Sequence, residues 1–201
     1  MTRLMTIESL AEDLRSIRTR TLIGIAGPPG AGKSTLAEDL QSRIPDSAIL
    51  PMDGFHYDDA VLNARGHCDR KGAPHTFDVA GLRTMLHRLR TEGGEIAVPV
   101  FDRDLEISRA AARIIGPEVK VVLVEGNYLL LDDPDWATLR PLLDRTVMLD
   151  VPLPVLEQRL RDRWSNRPNG AAKVEGNDLP NARRVMTGSV AADVSLPSSL
   201  A

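Results

Sequence analysis

The stretch that most constrains this chain is Thr21 to Leu36, TLIGIAGPPGAGKSTL. Leu22, Ile23, Ile25 and Ala26 form a short apolar run of the kind that becomes a buried parallel strand. The run leads straight into Gly27-Pro28-Pro29-Gly30-Ala31-Gly32-Lys33-Ser34, a full match to G-x-x-x-x-G-K-[ST]. Gly27, Gly30 and Gly32 allow the backbone to turn so that successive N–H groups point at phosphate oxygens. Lys33 supplies a point charge for the β- and γ-phosphates, and the Ser34 hydroxyl suits a Mg²⁺ ligand, with Thr35 beside it. Residues from Gly32 onward suit a helix whose N-terminal dipole faces the same anion. An apolar strand before the loop and helical spacing after it (Leu36, Ala37, Leu40, Ile44) make a chance match a poor explanation. The pattern predicts nucleoside triphosphate binding.

The rest of the chain is read around that loop. At 201 residues and 42% hydrophobic, it is long enough for one well-buried core, so a single domain over 1–201 is expected. A net charge of −3, with basic residues dispersed, leaves no footprint for nucleic acid. No apolar run reaches the length of a membrane span, and the amphipathic N-terminal stretch lacks the apolar core of a signal peptide. The single cysteine, Cys68, fits a reducing cytoplasm.

Apolar spacing predicts helices over 6–18, 36–44, 78–90, 134–143 and 155–164, with Asp78 as an N-cap. Strands are expected at 22–26, 48–52, 119–124, 146–149 and 185–190. Two short ones, 96–101 and 112–115, flank a charged turn at 102–106. Residues 54–77 and 165–179 show little periodicity, and the tail from Ser195 is expected to fray. The alternation implies an α/β fold: a doubly wound, mainly parallel five-stranded core sheet with helices on both faces.

Ligands of such sheets bind at the carboxyl ends of the strands. Asp53 follows the second strand and Glu125 ends the strand at 119–124, so both are expected beside the phosphate loop. The 54–77 segment has the length of a lid or binding loop, and His56 and Tyr57 at its start become substrate-side candidates. His67, Cys68 and His75 match no zinc spacing.

A phosphate loop alone does not choose between switches, motors and kinases. The guanine-reading N-K-x-D of switch GTPases is absent. Asp78-Val79-Ala80-Gly81 matches D-x-x-G only formally, because no apolar strand precedes it. The segments MDGFH (52–56), PVFDR (99–103) with Glu106, VEGNYLLL (124–131) and NDLPNA (177–182) narrow the choice. Together with the phosphate loop, over roughly 21–190, they resemble the uridine kinase, phosphoribulokinase and pantothenate kinase group, most of all bacterial kinases associated with fructose transport systems.

That resemblance implies an ATP- and Mg²⁺-dependent kinase acting on a hydroxyl of a small molecule, expected to be a sugar. A nucleoside or pantothenate acceptor is the alternative within the class. An ATP-binding regulator of sugar uptake is the alternative outside it. It implies Asp53 near the acceptor hydroxyl, orienting it and accepting its proton, with a cap for the Gly54 turn as the other reading. It implies Glu125 holding Mg²⁺ through water or contacting substrate, with a pair to Lys33 or an arginine as the other reading. It also implies Arg159 and Arg163 on a lid (about 155–180) over the phosphates, and Asn181 near the adenine. Asp102, Arg103 and Glu106 become candidates for the substrate pocket, with a solvated hairpin tip as their other reading. The 165–177 segment is short for that family's lid, and Trp164 stands where a histidine is expected. The resemblance also raises a homodimer.

Overall fold

The computed structural model describes residues 2–197. Six parallel strands form the main sheet: β1 (Arg3–Leu4), β2 (Thr21–Ala26), β3 (Ser47–Pro51), β6 (Val121–Gly126), β7 (Arg145–Asp150) and β8 (Val194–Pro197), in the order β1-β8-β7-β2-β6-β3. A separate antiparallel hairpin consists of β4 (Ile96–Asp102) and β5 (Ile107–Ile115), with a register shift between Val98 and Val100 around Pro99. The helices are α1 (Ile7–Arg15), α2 (Lys33–Arg43), α3 (Asp59–Ala64), α4 (Val79–Thr91), α5 (Leu153–Trp164), α6 (Gly170–Lys173) and α7 (Leu179–Gly188). None of them is long and apolar enough to cross a membrane.

Two-residue alternation divides the core into two layers. Leu22, Val122 and Val124 face one side of the sheet and pack with Leu82, Leu86 and Leu89 of α4. Ile23, Ile25, Val121 and Leu123 face the other side, against Leu10 and Leu14 of α1, Leu36 and Leu40 of α2, and Leu156 of α5. Burial on both faces explains why β2 and β6 read as continuous apolar runs. Thr6 caps α1 by accepting from the Ser9 N–H, and Asp78 caps α4 by accepting from the Gly81 N–H at 2.9 Å, as expected.

Several expectations need correction. Residues 185–190 do not form a strand. Residues 185–188 are the last turn of α7, in which Leu179, Ala182 and Val185 repeat every third position on one buried face while Met186 is exposed, and Ser189 and Val190 follow it. A β-branched stretch with one buried stripe had the composition of a strand and the period of a helix. The expected strand is replaced by β8, and β1 beside it makes the sheet six-stranded where five strands were expected; Ser195 to Pro197 pair with β7 and do not fray, and the rest of that tail lies outside the described residues. Residues 54–77 are not one long loop, since they hold α3 and three 3₁₀ turns, Met52–Phe55, Cys68–Arg70 and Pro74–Thr76. The segment 136–142 is 3₁₀ and not α-helical, with Pro141 inside it. Within 165–179, α6 runs into a π-helical turn at Val174–Asp178.

Register is what builds the site. β6 lies between β2 and β3, with Glu125 opposite Ile25 on one side and Pro51 on the other. The phosphate loop therefore leaves the sheet next to Glu125, and the turn carrying Asp53 leaves it on the other side. That turn is pressed against the hairpin: a Cβ on Gly54 would lie 2.6 Å from the Pro99 carbonyl oxygen. Gly54→Ala is expected to cost about 1–3 kcal/mol through overpacking, a fall of roughly 2–4 °C in Tm per kcal/mol. Gly93→Ala, where an added Cβ meets nothing within 4 Å, should leave the thermal melt almost unchanged.

Candidate active site

The phosphate loop has the backbone its sequence requires. Gly30 and Gly32 sit at φ +82° and +92°, conformations that a side chain would strain. An added Cβ at Gly32 would meet no atom within 4 Å, so backbone conformation and not space selects glycine there. α2 starts immediately afterwards, with Gly32 as its N-cap and no side chain satisfying the first-turn N–H groups. Such a terminus is suited to an anion.

Lys33, the first residue of α2, is buried, and its Nζ donates to the Pro28 carbonyl at 3.1 Å. Burial pulls its pKa down to about 8 against the opposing pull of Glu125 and Asp53. Ser34 Oγ donates to Glu125 Oε1 at 3.3 Å. Glu125 is also buried, and desolvation, helped by the Asp53 charge, pushes it up to about 7. Asp53 is half-buried. Its Oδ2 accepts from Arg103 Nη2 at 2.8 Å, an ion pair that fixes the carboxylate's orientation.

His56 Nδ1 donates to the Asp53 carbonyl at 2.9 Å, which leaves Nε2 as the acceptor of the neutral ring. The ring packs against Phe77 and Phe101, with centroids 4.0 and 4.7 Å away, and burial lowers its pKa. Lys33, Ser34, Asp53, His56, Glu125 and Arg163 line one cavity of about 230 Å³.

Other expected site residues are distributed less simply. Pro29, Gly30, Gly32, Thr35, Arg103 and Glu106 also line that cavity. Gly27 and Ala31 shape the loop from behind, where a Cβ on Gly27 would touch Ala31 and Leu149. Arg159 lies outside the cavity lining, in a groove behind the loop shared with Arg163, and its Nη1 approaches the Gly30 and Ala31 carbonyls at 3.4 and 3.5 Å. Asn181 lines the main cavity, and its Nδ2 donates to Asn177 Oδ1 at 3.3 Å.

Tyr57 and Asp102 do not belong to this cavity. The Tyr57 ring lies under the Arg65 guanidinium, 4.4 Å from it, and faces a different groove beside Arg83 and Asp135. Asp102 accepts from the Asp104 and Leu105 N–H groups at 3.1 Å and pairs with Arg109 at 3.4 Å. It shapes the hairpin turn, an Asx motif that a D-R-D sequence allows without any ligand.

Two lysines that were not among the expected site residues also line the cavity: Lys71, one of many polar groups in the 54–77 segment, and Lys173. They come together because the 165–179 segment docks on the loop before α4. Lys173 Nζ and Asn177 Nδ2 both donate to the Lys71 carbonyl, at 2.7 and 2.9 Å. Trp164 Nε1 donates to Asp178 Oδ2 at 2.8 Å, which explains what an indole does at this position. No local pattern marks a lysine whose importance lies in contact with residues about 100 positions away.

Among the described residues no group of three or more His, Cys, Asp or Glu side chains gathers in a metal-binding cluster. The oxygen set of Ser34, Glu125 and Asp53 still suits Mg²⁺, which takes one or two protein oxygens and completes its shell with water and phosphate.

No protein-family profile matches the chain. It is 35% identical over 181 residues to "Uncharacterized protein YggC" of Escherichia coli (strain K12), covering 85% of this chain and 74% of that one. It is 31% identical over 204 residues to "Putative uridine kinase C227.14" of Schizosaccharomyces pombe, covering 92% and 86%. Among solved structures, the "putative fructose transport system kinase from Silicibacter sp. TM1040" superposes with a TM-score of 0.88 at 38% identity, over 95% of this chain and 98% of that one. YFH7 of Saccharomyces cerevisiae, at 18% identity and a TM-score of 0.81, shares the fold. With its phosphate loop, its strand-end carboxylates and these relatives, the chain belongs to the uridine kinase and pantothenate kinase group of P-loop small-molecule kinases.

Proposed function

We propose that the protein transfers the γ-phosphoryl group of ATP to a hydroxyl of a compact polyhydroxy molecule such as a sugar. The observation that carries this reading is the single cavity in which Asp53 and Glu125 face the phosphate loop's Lys33 and Ser34. Its volume, about 230 Å³, is below the roughly 300–1,000 Å³ of typical small-molecule sites. The transferred phosphoryl and the acceptor share that space, which favours a small acceptor.

The acceptor oxygen attacks Pγ, the bond from Pγ to the β-bridging oxygen breaks, and ADP leaves with the bridging oxygen. The hydroxyl proton passes to the Asp53 carboxylate and then to solvent. In a loose phosphoryl-transfer state positioning and charge matter more than base strength. Asp53, steered by Arg103, aligns the hydroxyl, while Lys33 and Arg163 neutralise charge spreading over the phosphoryl oxygens. Ser34 and Glu125 would hold Mg²⁺, directly or through water, and the bound ion would offset phosphate charge.

The nucleoside end of ATP fits a cleft of about 270 Å³ that shares Pro28 with the phosphate loop. Val151, Val185, Met186 and Val190 line it, and Ser189 Oγ, which also lines it, is buried without a hydrogen-bond partner. In this reading the last turn of α7 lies beside the base. An ATP- and Mg²⁺-using enzyme with a free cysteine suits the cytoplasm.

The direct test is ADP release with Mg²⁺-ATP across sugars, sugar acids, uridine and pantothenate, with products identified by mass spectrometry. Acceptor-dependent turnover is expected, and ATP binding with no acceptor dependence would favour a regulator. Asp53→Asn should lower kcat by about 10²-fold or more while calorimetric ATP affinity stays within a few-fold. Val190→Trp, filling the proposed base cleft, should raise the KM for ATP about tenfold and leave the acceptor KM in place.

The Glu125 carboxyl gives a pH signature. Its pKa is raised to about 7, so below pH 7 it is protonated and has no charge to offer a cation. The Mg²⁺ concentration for half-maximal rate should therefore rise as pH falls from 8 to 6. Glu125→Gln should need more Mg²⁺ throughout and lose most of that pH dependence, read from Mg²⁺ titrations at fixed ATP.

A further inference from the structure

The phosphate end of the cavity holds cations that ATP accounts for, but Lys173 belongs to a different neighbourhood. The charges that act on Lys33 are Glu125, Asp53, Arg163 and Arg103; those that act on Lys173 are Asp178, Glu106, Lys71 and Arg70. Lys173 is half-buried, and its one hydrogen bond goes to the Lys71 backbone carbonyl. Two of its three N–H donors are left over. Among the described residues no carboxylate lies within ion-pair distance of it. Asp178, on the following turn, is held by the Trp164 indole.

Lys71 stands beside it and lines the same cavity. Its ammonium is fixed from behind by Asp59 at 2.7 Å and by the Glu106 carbonyl, and it lies 5.5 Å from the centre of the Phe101 ring. A lysine anchored in this way is presented to the cavity at little further entropic cost. Burying a lysine without a counter-ion is unfavourable, and burial does depress the Lys173 ammonium. A ligand anion arriving there would repair that deficit, as phosphate does for Lys33 at the other end.

Resting on the kinase reading above, we propose that the phosphate acceptor is itself an anion: a small polyhydroxy carboxylate or sugar monophosphate whose charged group is held by Lys173 and Lys71, with its reacting hydroxyl at Asp53. The hydroxyl end is read by Asp53 and His56, and the charged end by the two lysines, so the molecule is oriented along the cavity. A neutral sugar would fill the same volume but leave Lys173 uncompensated.

Matched pairs test this: gluconate against sorbitol, glycerate against glycerol, and fructose 6-phosphate against fructose, each with Mg²⁺-ATP. The charged member of at least one pair should show a kcat/KM about tenfold or more above its neutral partner. The pair that responds tells carboxylate from phosphate. Lys173→Met should raise the KM for that acceptor about tenfold, with the KM for ATP within twofold, and Lys173→Arg should restore much of the loss. Equal or better use of the neutral partners would overturn the inference, as would a Lys173→Met effect confined to ATP.

Calorimetric titration of the same six compounds into the Mg²⁺-ADP-loaded protein separates the two layers of the argument. Anion-selective binding that Lys173→Met abolishes, without any phosphorylated product, would keep the anion site and sink the kinase reading. ADP binding with no preference for the anions would sink the anion site.

Discussion

The structure depends on two opposite charges buried in one cleft, Lys33 at the start of α2 and Glu125 at the end of β6. Lys33 and Glu125 are both removed from water, and burial drives each towards its neutral form, to pKa values of about 8 and about 7. Each is kept from going further by the other. Near neutral pH the site therefore sits close to proton exchange while it is empty of ligand charge. A polyphosphate against Lys33 favours its ammonium, and a divalent cation against Glu125 favours its carboxylate. Nucleotide and metal thus each oppose the desolvation of a different residue, and the pair is better satisfied with both bound than with either alone.

That arrangement follows from strand order. With β6 between β2 and β3, Glu125 lies between the phosphate-loop side and the Asp53 side of the cleft. The hairpin then acts on the other carboxylate. Pro99 packs over Gly54, Ser108 Oγ donates to the His56 carbonyl at 3.1 Å, and Arg103 reaches down to Asp53. β4 and β5 lie outside the main sheet, yet they pack on the turn that carries Asp53 and pair with its carboxylate.

How much of this was legible in the sequence differs sharply between residues. The phosphate loop could be read in full because its requirements are local: glycines for the turn, a lysine for charge, a hydroxyl for metal. Asp53 and Glu125 were legible because the ends of apolar strands are where α/β sheets place ligands. α7 was misread as a strand because Val185 and Val190 carry strand composition, while the evidence for a helix lay in which face was buried. Asp102 and Tyr57 looked functional from residue type and neighbourhood, but one satisfies turn amides and the other a guanidinium. The lysines at the far end of the cavity gave no local signal, because their pairing joins two segments about 100 residues apart.

That pairing also changes what the short lid means. The expectation from length was a cover too small to reach across the site. The segment reaches because it is not a free loop: α6 and the π-helical turn compress it, and Lys173 and Asn177 fasten it to one backbone carbonyl, that of Lys71. π-helical turns recur at functional sites because the extra residue redirects side chains that a regular helix would send elsewhere. Here the turn contributes Asn177, which meets the Lys71 carbonyl, and Asp178, which meets Trp164. Arg163 at the end of α5 and Lys173 at the end of α6 are only ten positions apart, and both line the cavity. One short segment thus brings two cations to the same cavity from opposite ends of its length.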